Sequence, residues 1–560
     1  MNNYKEDIRY LAHFVVETNT PMAIGSGEKG LTVDRLIARD ANGLPYIPGT
    51  SMAGVVRHEL EDEIMEEDVN DIFGFQGYAN NGNGSRINFS AAVLVSGDGK
   101  HTALEDLHNI DFKQGYYSFF NRLPERDHVR ISHRGTADTL GHGKFDEELV
   151  HKGTRFVFEI ELEGTSEDEE NWEVILSILH NSSFRIGAGT RKGFGGLKII
   201  ECKTKVLDLN KSMSDYLSIS SSLNKDLTFW EEFTPNQEEY DDKYYHYKIS
   251  LIPENVYIFG AGIGDEEVDM TPKTERFFDW SNGTPVLSEE TIIIPATSIK
   301  GALSHRVAFH YNKFVGLTID KNTTEFNHID EDELVDSLAD INSLESEIFQ
   351  LVNEIESFKS IDLQHNETLQ ELKENLEAKK MAINKFAKEL KELDVNNSIE
   401  SSSKWNNYQQ DLEDQEKQFS ELESNVSELN EGVKQLFGYA KNTKKKRPEK
   451  SDGLRGRVII SDVYLDEKSK KVSKKVFDHV AIDRFTGGGI DGALYQEKAI
   501  SSDGFVMDIY VEKQAFDNKF IKVSLEEALN DLINGNIQLG GNTGKGHGVF
   551  IGSYELLNAE

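Results

Sequence analysis

Asp34 stands in Gly30-Leu-Thr-Val-Asp-Arg35, a polar stretch between a strand pattern and the first helical pattern. A carboxylate there can hold a hard cation or take a proton from a hydroxyl, and a loop Asp is also a common turn former. A second acidic loop carries Asp269 and Glu275, preceded by Asp265, Glu266 and Glu267. Thr50, Ser51 and Gly54 open one helix, and Thr297, Ser298 and Gly301 open another with Lys300 adding charge. Free N–H groups at a helix start suit a phosphate, while an ordinary N-cap uses the same residue types. Arg57 and Arg306 follow, about one and two helical turns on, as candidate phosphate partners. Two glycine-rich loops set backbone amides beside cations, Arg191 and Lys192 in one and Lys545 and His547 in the other, an arrangement that holds phosphate chains. Neither is a P-loop, because no Gly-Lys-Ser/Thr follows. Arg130, His133 and Arg134, paired with Asp483 and Arg484, read as facing an anionic ligand or as ion pairs with an acidic body. His142 in Leu140-Gly-His-Gly143 is placed to assist proton transfer or is simply an exposed loop histidine.

The elements that must position these groups occur twice. Tyr46-Ile-Pro-Gly-Thr-Ser-Met-Ala-Gly54 returns as Ile293-Ile-Pro-Ala-Thr-Ser-Ile-Lys-Gly301. Ile72-Phe-Gly-Phe75 returns as Leu436-Phe-Gly-Tyr439, and His128-Val-Arg-Ile as His479-Val-Ala-Ile. Alternating strands at Phe156 to Leu162 and Phe505 to Val511 follow, then S-x-x-E boxes (Ser166 to Glu169, Ser524 to Glu527) that read as helix starts, then the glycine loops. The order strand, helix, strand, strand, helix, strand, taken twice, predicts an α+β chain of two tandem ferredoxin-like (RRM-like) domains. The expected limits are 1–210 and 244–560, with a Ser-, Asp- and Glu-rich linker at 211–243. Pro48 lies 26 residues before Gly74 whereas Pro295 lies 143 before Gly438, so the second copy carries 117 extra residues. Apolar residues at alternating spacings of three and four, from Ile341 to Leu436, predict an antiparallel coiled-coil insertion over 320–432, suited to docking another subunit.

The net charge of -37 argues against a free, nonspecific binder of nucleic acid. Residues 320–431 hold 29 acidic against 10 basic side chains, so half of that charge lies in the insertion. Any anion-binding surface must be a local groove on an acidic body, and Lys444-Lys-Lys-Arg447 is the densest basic run. One cysteine, Cys202, excludes an internal disulfide framework and a cysteine-clustered zinc site, which fits a reducing cytoplasm. No apolar run approaches the roughly 18 residues of a membrane span.

Leu44-Pro-Tyr-Ile-Pro-Gly-Thr-Ser-Met-Ala-Gly-Val-Val-Arg57, preceded by Gly30 to Arg35, is similar to the first-helix signature of the RAMP superfamily. With the glycine-rich loops it resembles the backbone subunits of type III CRISPR effector complexes, over nearly the whole chain except linker and insertion. The resemblance implies a subunit that lies along a guide RNA, kinks it at intervals and cuts paired single-stranded target RNA at each kink, in antiviral defence. It implies Asp34 as catalytic residue and ligand of Mg²⁺ or Mn²⁺, with Asp269 or Glu275 as its second-copy counterpart. It also implies RNA contacts from Thr50, Ser51, Arg57, Arg130, His133, Arg134, Arg191, Lys192, Ser298, Lys300, Arg306, Arg484, Lys545 and His547, and other effector subunits as partners. The chain departs from the family in fusing two copies, and Glu275-Arg276 stands nearest to Asp34-Arg35 in the second. A non-catalytic guide-RNA scaffold and a metal-independent guide-processing ribonuclease are the alternative readings.

Overall fold

The computed structural model describes residues 6–30, 33–77, 82–100, 102–103, 111–129, 144–235, 243–315, 430–439, 453–465 and 472–557. Among the described residues each half builds one large antiparallel sheet, separate from that of the other half. In the first, Leu197–Asp208, Ile8–Thr18, Arg155–Gly164 and Ile87–Phe89 lie side by side; in the second, Val549–Leu556, Tyr244–Pro253, Phe505–Glu512 and Val458–Ile460 repeat that order. Numbered by position within each copy, both run 4-1-3-2, the ferredoxin-like order expected from the motif sequence.

Alternation fixes which face is buried. Phe156, Phe158, Ile160 and Leu162 point inward from a strand whose Glu159 and Glu161 point out, and register places Phe14 opposite Phe158 with the rings stacked at 4.9 Å. Against that face lie helices Gly49–Leu60, through Met52, Val56 and Leu60, and Glu169–His180, through Trp172, Ile175, Leu176 and Leu179. The second copy repeats the pattern with Ala296–Val315 and Lys519–Ile533. Spacing of three and four puts these side chains on one helical stripe, and burying each is worth about 1.5–3 kcal/mol.

The repeated aromatic-glycine signal ends a short helix in both copies, Glu66–Phe73 and Glu431–Phe437. Gly74 and Gly438 turn the chain there at φ 76° and 77°, where a side chain is strained and where a Cβ would strike backbone at 2.7 and 2.5 Å.

Local expectations shifted in three places. The first capping box is made by Thr165 and Asp168 rather than Ser166 and Glu169. Ser524 lies inside a helix capped by Asn518; its buried hydroxyl donates to the Phe520 carbonyl one turn back. Part of the expected linker is folded: Leu209–Ser218 is helical, and Glu231–Glu232 adds a strand beside Leu197–Asp208. Trp230 packs on Leu11 and Leu207 there, and these scattered apolar residues outweigh a linker-like composition. The coiled coil expected over 320–432 lies outside the described residues except for Asn430 to Gly432, which begin the short helix before Gly438. Lys444 to Arg447, Arg130, His133, Arg134 and His142 also lie outside them. Among the described residues, no helix is long and apolar enough to cross a membrane.

Candidate active sites

Each copy raises a two-stranded hairpin beside its sheet: Glu125–Val129 with Lys144–Glu148 in the first, Ser473–Ile482 with Gly489–Ser501 in the second. The loop bearing Asp34 lies against the first hairpin. The Asp34 N–H donates to Asp146 Oδ1 at 2.7 Å, and the Asp146 N–H donates back to Asp34 Oδ2 at 3.3 Å. Arg35 next door makes a parallel bridge with Glu147. In the second copy, the Gln496 N–H donates to Asp269 Oδ2 at 2.8 Å and Met270 bridges Glu497 in parallel. The bridges Gly25 to Ile37 and Gly260 to Pro272 set the same count along both loops. Asp269 is therefore the counterpart of Asp34, and Glu275 corresponds to Asp40, which corrects the pairing of Glu275-Arg276 with Asp34-Arg35. The stretch between this loop and the helix is shorter in the first copy, with Asp34 14 residues before Pro48 and Asp269 26 before Pro295. Both Asp34 and Asp269 are exposed.

Behind each aspartate stands the same set of side chains. Glu147 is 1% exposed and Glu497 0%, and each faces a histidine on the neighbouring strand: His128 Nε2 lies 2.6 Å from Glu147, His479 Nε2 2.8 Å from Glu497. An aromatic ring two residues before each glutamate carries the histidine, Phe145 with His128 at 4.8 Å and Tyr495 with His479 at 4.8 Å. The glycine loop then adds a lysine over the same ring, Lys192 at 4.4 Å from Phe145 and Lys545 at 4.5 Å from Tyr495. Burial alone would raise the Glu147 carboxyl, but His128, Lys192 and Arg35 outweigh it and hold it below the usual carboxylate range.

The copies differ around this shared set. Arg35 reaches Glu147 at 3.8 Å and also lies over Phe145. In the second copy Met270 takes the place of Arg35, and His547 enters from the glycine loop with Nδ1 3.2 Å from Glu497, beside Asn542, which donates to the same carboxylate. Lys192, Lys545 and His547, expected as RNA contacts, stand in this set: Lys192 3.9 Å from Glu147, Lys545 over the Tyr495 ring and His547 against Glu497. The buried glutamates were not expected. The signal for them is the aromatic-x-Glu phrase shared by Phe145-Asp-Glu147 and Tyr495-Gln-Glu497, each following its aligned histidine.

Other expected residues are engaged elsewhere. Glu275 is buried, with both oxygens held by Arg126, at 2.7 Å from Nη2 to Oε2, while the Tyr464 hydroxyl donates to Oε2 at 3.0 Å. Arg126 also reaches Asp462 Oδ2 at 2.7 Å, and Asp462 Oδ1 accepts the Ala296 N–H at 2.7 Å. Arg126 comes from the first copy and its partners from the second, so this buried cluster joins the two. Burial alone would lower the Arg126 pKa; Asp462 and Glu275 outweigh it and keep the guanidinium charged. Asp462 also occupies the start of the helix carrying Thr297, Ser298 and Lys300, so a carboxylate already caps the amide expected to meet a phosphate there. In the first copy Pro48 precedes the helix without a side-chain cap, leaving Thr50 exposed and Ser51 half-buried at its first turn.

Arg57 donates to the Gly74 carbonyl and Asn70, Arg306 to Asp531, and Arg191 to Glu512 across the junction between copies. All three close the fold and are not turned outward as expected. Lys300 donates to the Phe437 carbonyl; burial, with Arg191 and Lys192 nearby, brings its amine down to about 8. Arg484 is exposed at the second hairpin's turn, where Asp483 Oδ1 accepts the N–H groups of Phe485 and Thr486 and leaves the Phe485 side chain 100% exposed.

Among the described residues no group of three or more His, Cys, Asp or Glu converges as a metal cage. Asp34 and Asp146 are nonetheless adjacent carboxylates, and a two-carboxylate set fits Mg²⁺ or Mn²⁺, which keep several waters and complete their shell from phosphate.

Residues 15–198 and 281–551 match the family model described as RAMPs, the RAMP superfamily, together more than half of the chain. The second matched stretch begins beyond Asp269 and Glu275. No curated protein matches the chain.

Proposed function

Because the chain belongs to the RAMP superfamily, we propose that it binds a CRISPR guide RNA as a backbone subunit of a type III effector complex and cuts the paired target RNA. The observation that carries the cutting is the duplicated docking of an exposed aspartate, Asp34 or Asp269, on the backbone of a hairpin strand whose preceding aromatic residue, Phe145 or Tyr495, carries a glycine-loop lysine. A fold that binds RNA by its sheet alone has no need to repeat that constellation in two copies.

The chemistry follows from what these groups can do. A target strand splayed at the hairpin presents a ribose 2′-hydroxyl next to the aspartate. Asp34 takes the hydroxyl proton, the 2′-oxygen attacks the adjacent phosphorus, and the P–O5′ bond breaks with the leaving 5′-oxygen taking a proton from water, giving a 2′,3′-cyclic phosphate and a 5′-hydroxyl end. Lys192 and Arg35 stabilise the charge that develops on the non-bridging oxygens. Mg²⁺ or Mn²⁺ held by Asp34 and Asp146 would supply further neutralisation of that charge. In the second copy Asp269, Lys545 and His547 take the corresponding places. Arg484 and Phe485 at the second hairpin's turn are suited to stacking on an unpaired base. Other effector subunits are the expected protein partners, with the insertion as their docking arm.

Recombinant protein assembled with guide RNA and end-labelled complementary RNA in Mg²⁺ tests this. The expected products carry cyclic phosphate ends and disappear in chelator. No product at all would support the scaffold reading, and cleavage of precursor guide that persists in chelator would support the processing one.

A further inference from the structure

We propose that the buried Glu147 and Glu497 are positioning residues for cleavage, each holding its copy's cations and hairpin amide in place around the exposed aspartate. The inference rests on the cleavage reading above and goes beyond it, because neither glutamate faces the solvent side on which RNA would lie.

A buried carboxylate is costly unless charge and hydrogen bonds compensate it. Glu147 is met by three basic side chains from three different segments: His128 at 2.6 Å from the facing strand, Arg35 at 3.8 Å from the Asp34 loop and Lys192 at 3.9 Å from the glycine loop. One side chain therefore ties together the three segments that make the site. It does so one residue from Asp146, whose amide holds Asp34. Glu497 repeats this with His479 on the facing strand, His547 and Asn542 on the glycine loop, and Gln496 as the adjacent amide on Asp269. Lys192 and Lys545 are thus fixed twice, by the ring beneath and by a loop anchored on the glutamate.

A carboxylate kept only for packing could be replaced by any residue of similar shape, and the identities of its partners would not matter. Here the partners change between copies, from Arg and Lys to a second His and an Asn, while the glutamate, the histidine and the aromatic ring stay. That pattern fits a fixed charge at the centre of a site whose surroundings have diverged.

The two copies control for each other. In the assembled complex, Glu147→Gln is expected to slow the cut that Asp34→Ala abolishes by about 10- to 100-fold, the usual cost of losing a group that orients a reacting residue. Guide and target affinity should stay within about threefold of wild type, and the cut that Asp269→Ala abolishes should be unchanged; Glu497→Gln should do the reverse. Single-turnover rates at saturating target, dissociation constants and melting temperatures are measured together. Should Glu147→Gln fail to fold, His128→Gln removes the same pairing from the other side and is read the same way. Wild-type rates at both cuts in the glutamine variants would overturn the inference while Asp34→Ala remained inactive. Equal slowing of both cuts by either variant would also overturn it, by assigning the glutamates to general folding. If neither Asp34→Ala nor Asp269→Ala affects any cut, the cleavage reading fails and this inference fails with it.

Discussion

Asp34 and Asp146 exchange hydrogen bonds, N–H of the first to Oδ1 of the second at 2.7 Å and N–H of the second to Oδ2 of the first at 3.3 Å. The exchange docks the Asp34 loop on the hairpin strand through one backbone amide from each side. In the second copy Gln496 replaces Asp146 and keeps the backbone half of the exchange.

Asp146→Asn should therefore keep the loop docked, since the Asn side-chain oxygen still accepts the Asp34 N–H, while removing one negative charge. If Asp146 helps to hold the cation, the Mg²⁺ or Mn²⁺ concentration for half-maximal cutting at the first copy should rise by about 10- to 100-fold. Titrating cleavage of the first-copy cut against Mn²⁺ checks this, with the second-copy cut as the unchanged reference.

Arg126 joins the copies through Glu275 and Asp462, so Arg126→Ala leaves two carboxylates buried without their cation. A loss of about 3–5 kcal/mol is expected, as for other broken buried pairs. Calorimetry should show a lower melting temperature and separation of one transition into two as the halves lose their common lock. Replacing Arg126, Glu275 and Asp462 together by apolar residues should recover most of the loss.

Lys300 carries a pH signature with a definite sign. Its amine is brought down to about 8 in the fold, chiefly by burial, below its unfolded value near 10.5. Below pH 8 both states hold the proton and the cost of burying the charge is fully present. From pH 8 towards 10.5 the folded state sheds the proton first, and the cost fades as pH rises. Lys300→Met should stabilise the protein by about 2 kcal/mol at pH 7, with the advantage shrinking by pH 9.5 in denaturant titrations.

The sheets were legible because their motifs repeat in order and their inward residues alternate, which is local information. The site was legible only where chemistry sits on a marked segment: Asp34 beside the first-helix phrase, Lys192 and Lys545 in glycine loops. What escaped was pairing over long separations. Glu147 meets Arg35 from 112 positions away, and Arg126 meets Asp462 from 336, as their numbers show. Arg57, Arg306 and Arg191 looked like RNA contacts because a basic residue near a helix start or glycine loop has the same sequence appearance whether it reaches outward or inward. Asp269 and Glu275 both stood as counterparts of Asp34 because Glu275 keeps the acid-arginine dipeptide, yet strand bridging rather than the dipeptide sets the register.

Cutting of end-labelled target RNA by wild type, Asp34→Ala, Asp269→Ala and the double variant, read on a denaturing gel, tests the central claim most directly. Asp34→Ala should lose the cut facing the first copy by at least about 10²-fold, the low end of what general-base help contributes. Asp269→Ala should lose the cut facing the second copy, and the double variant both. Guide and target should still bind, since phosphate contacts come from amides and basic side chains, and a DNA target lacking the 2′-hydroxyl should stay whole. Undiminished cutting at every position in the double variant would contradict the account.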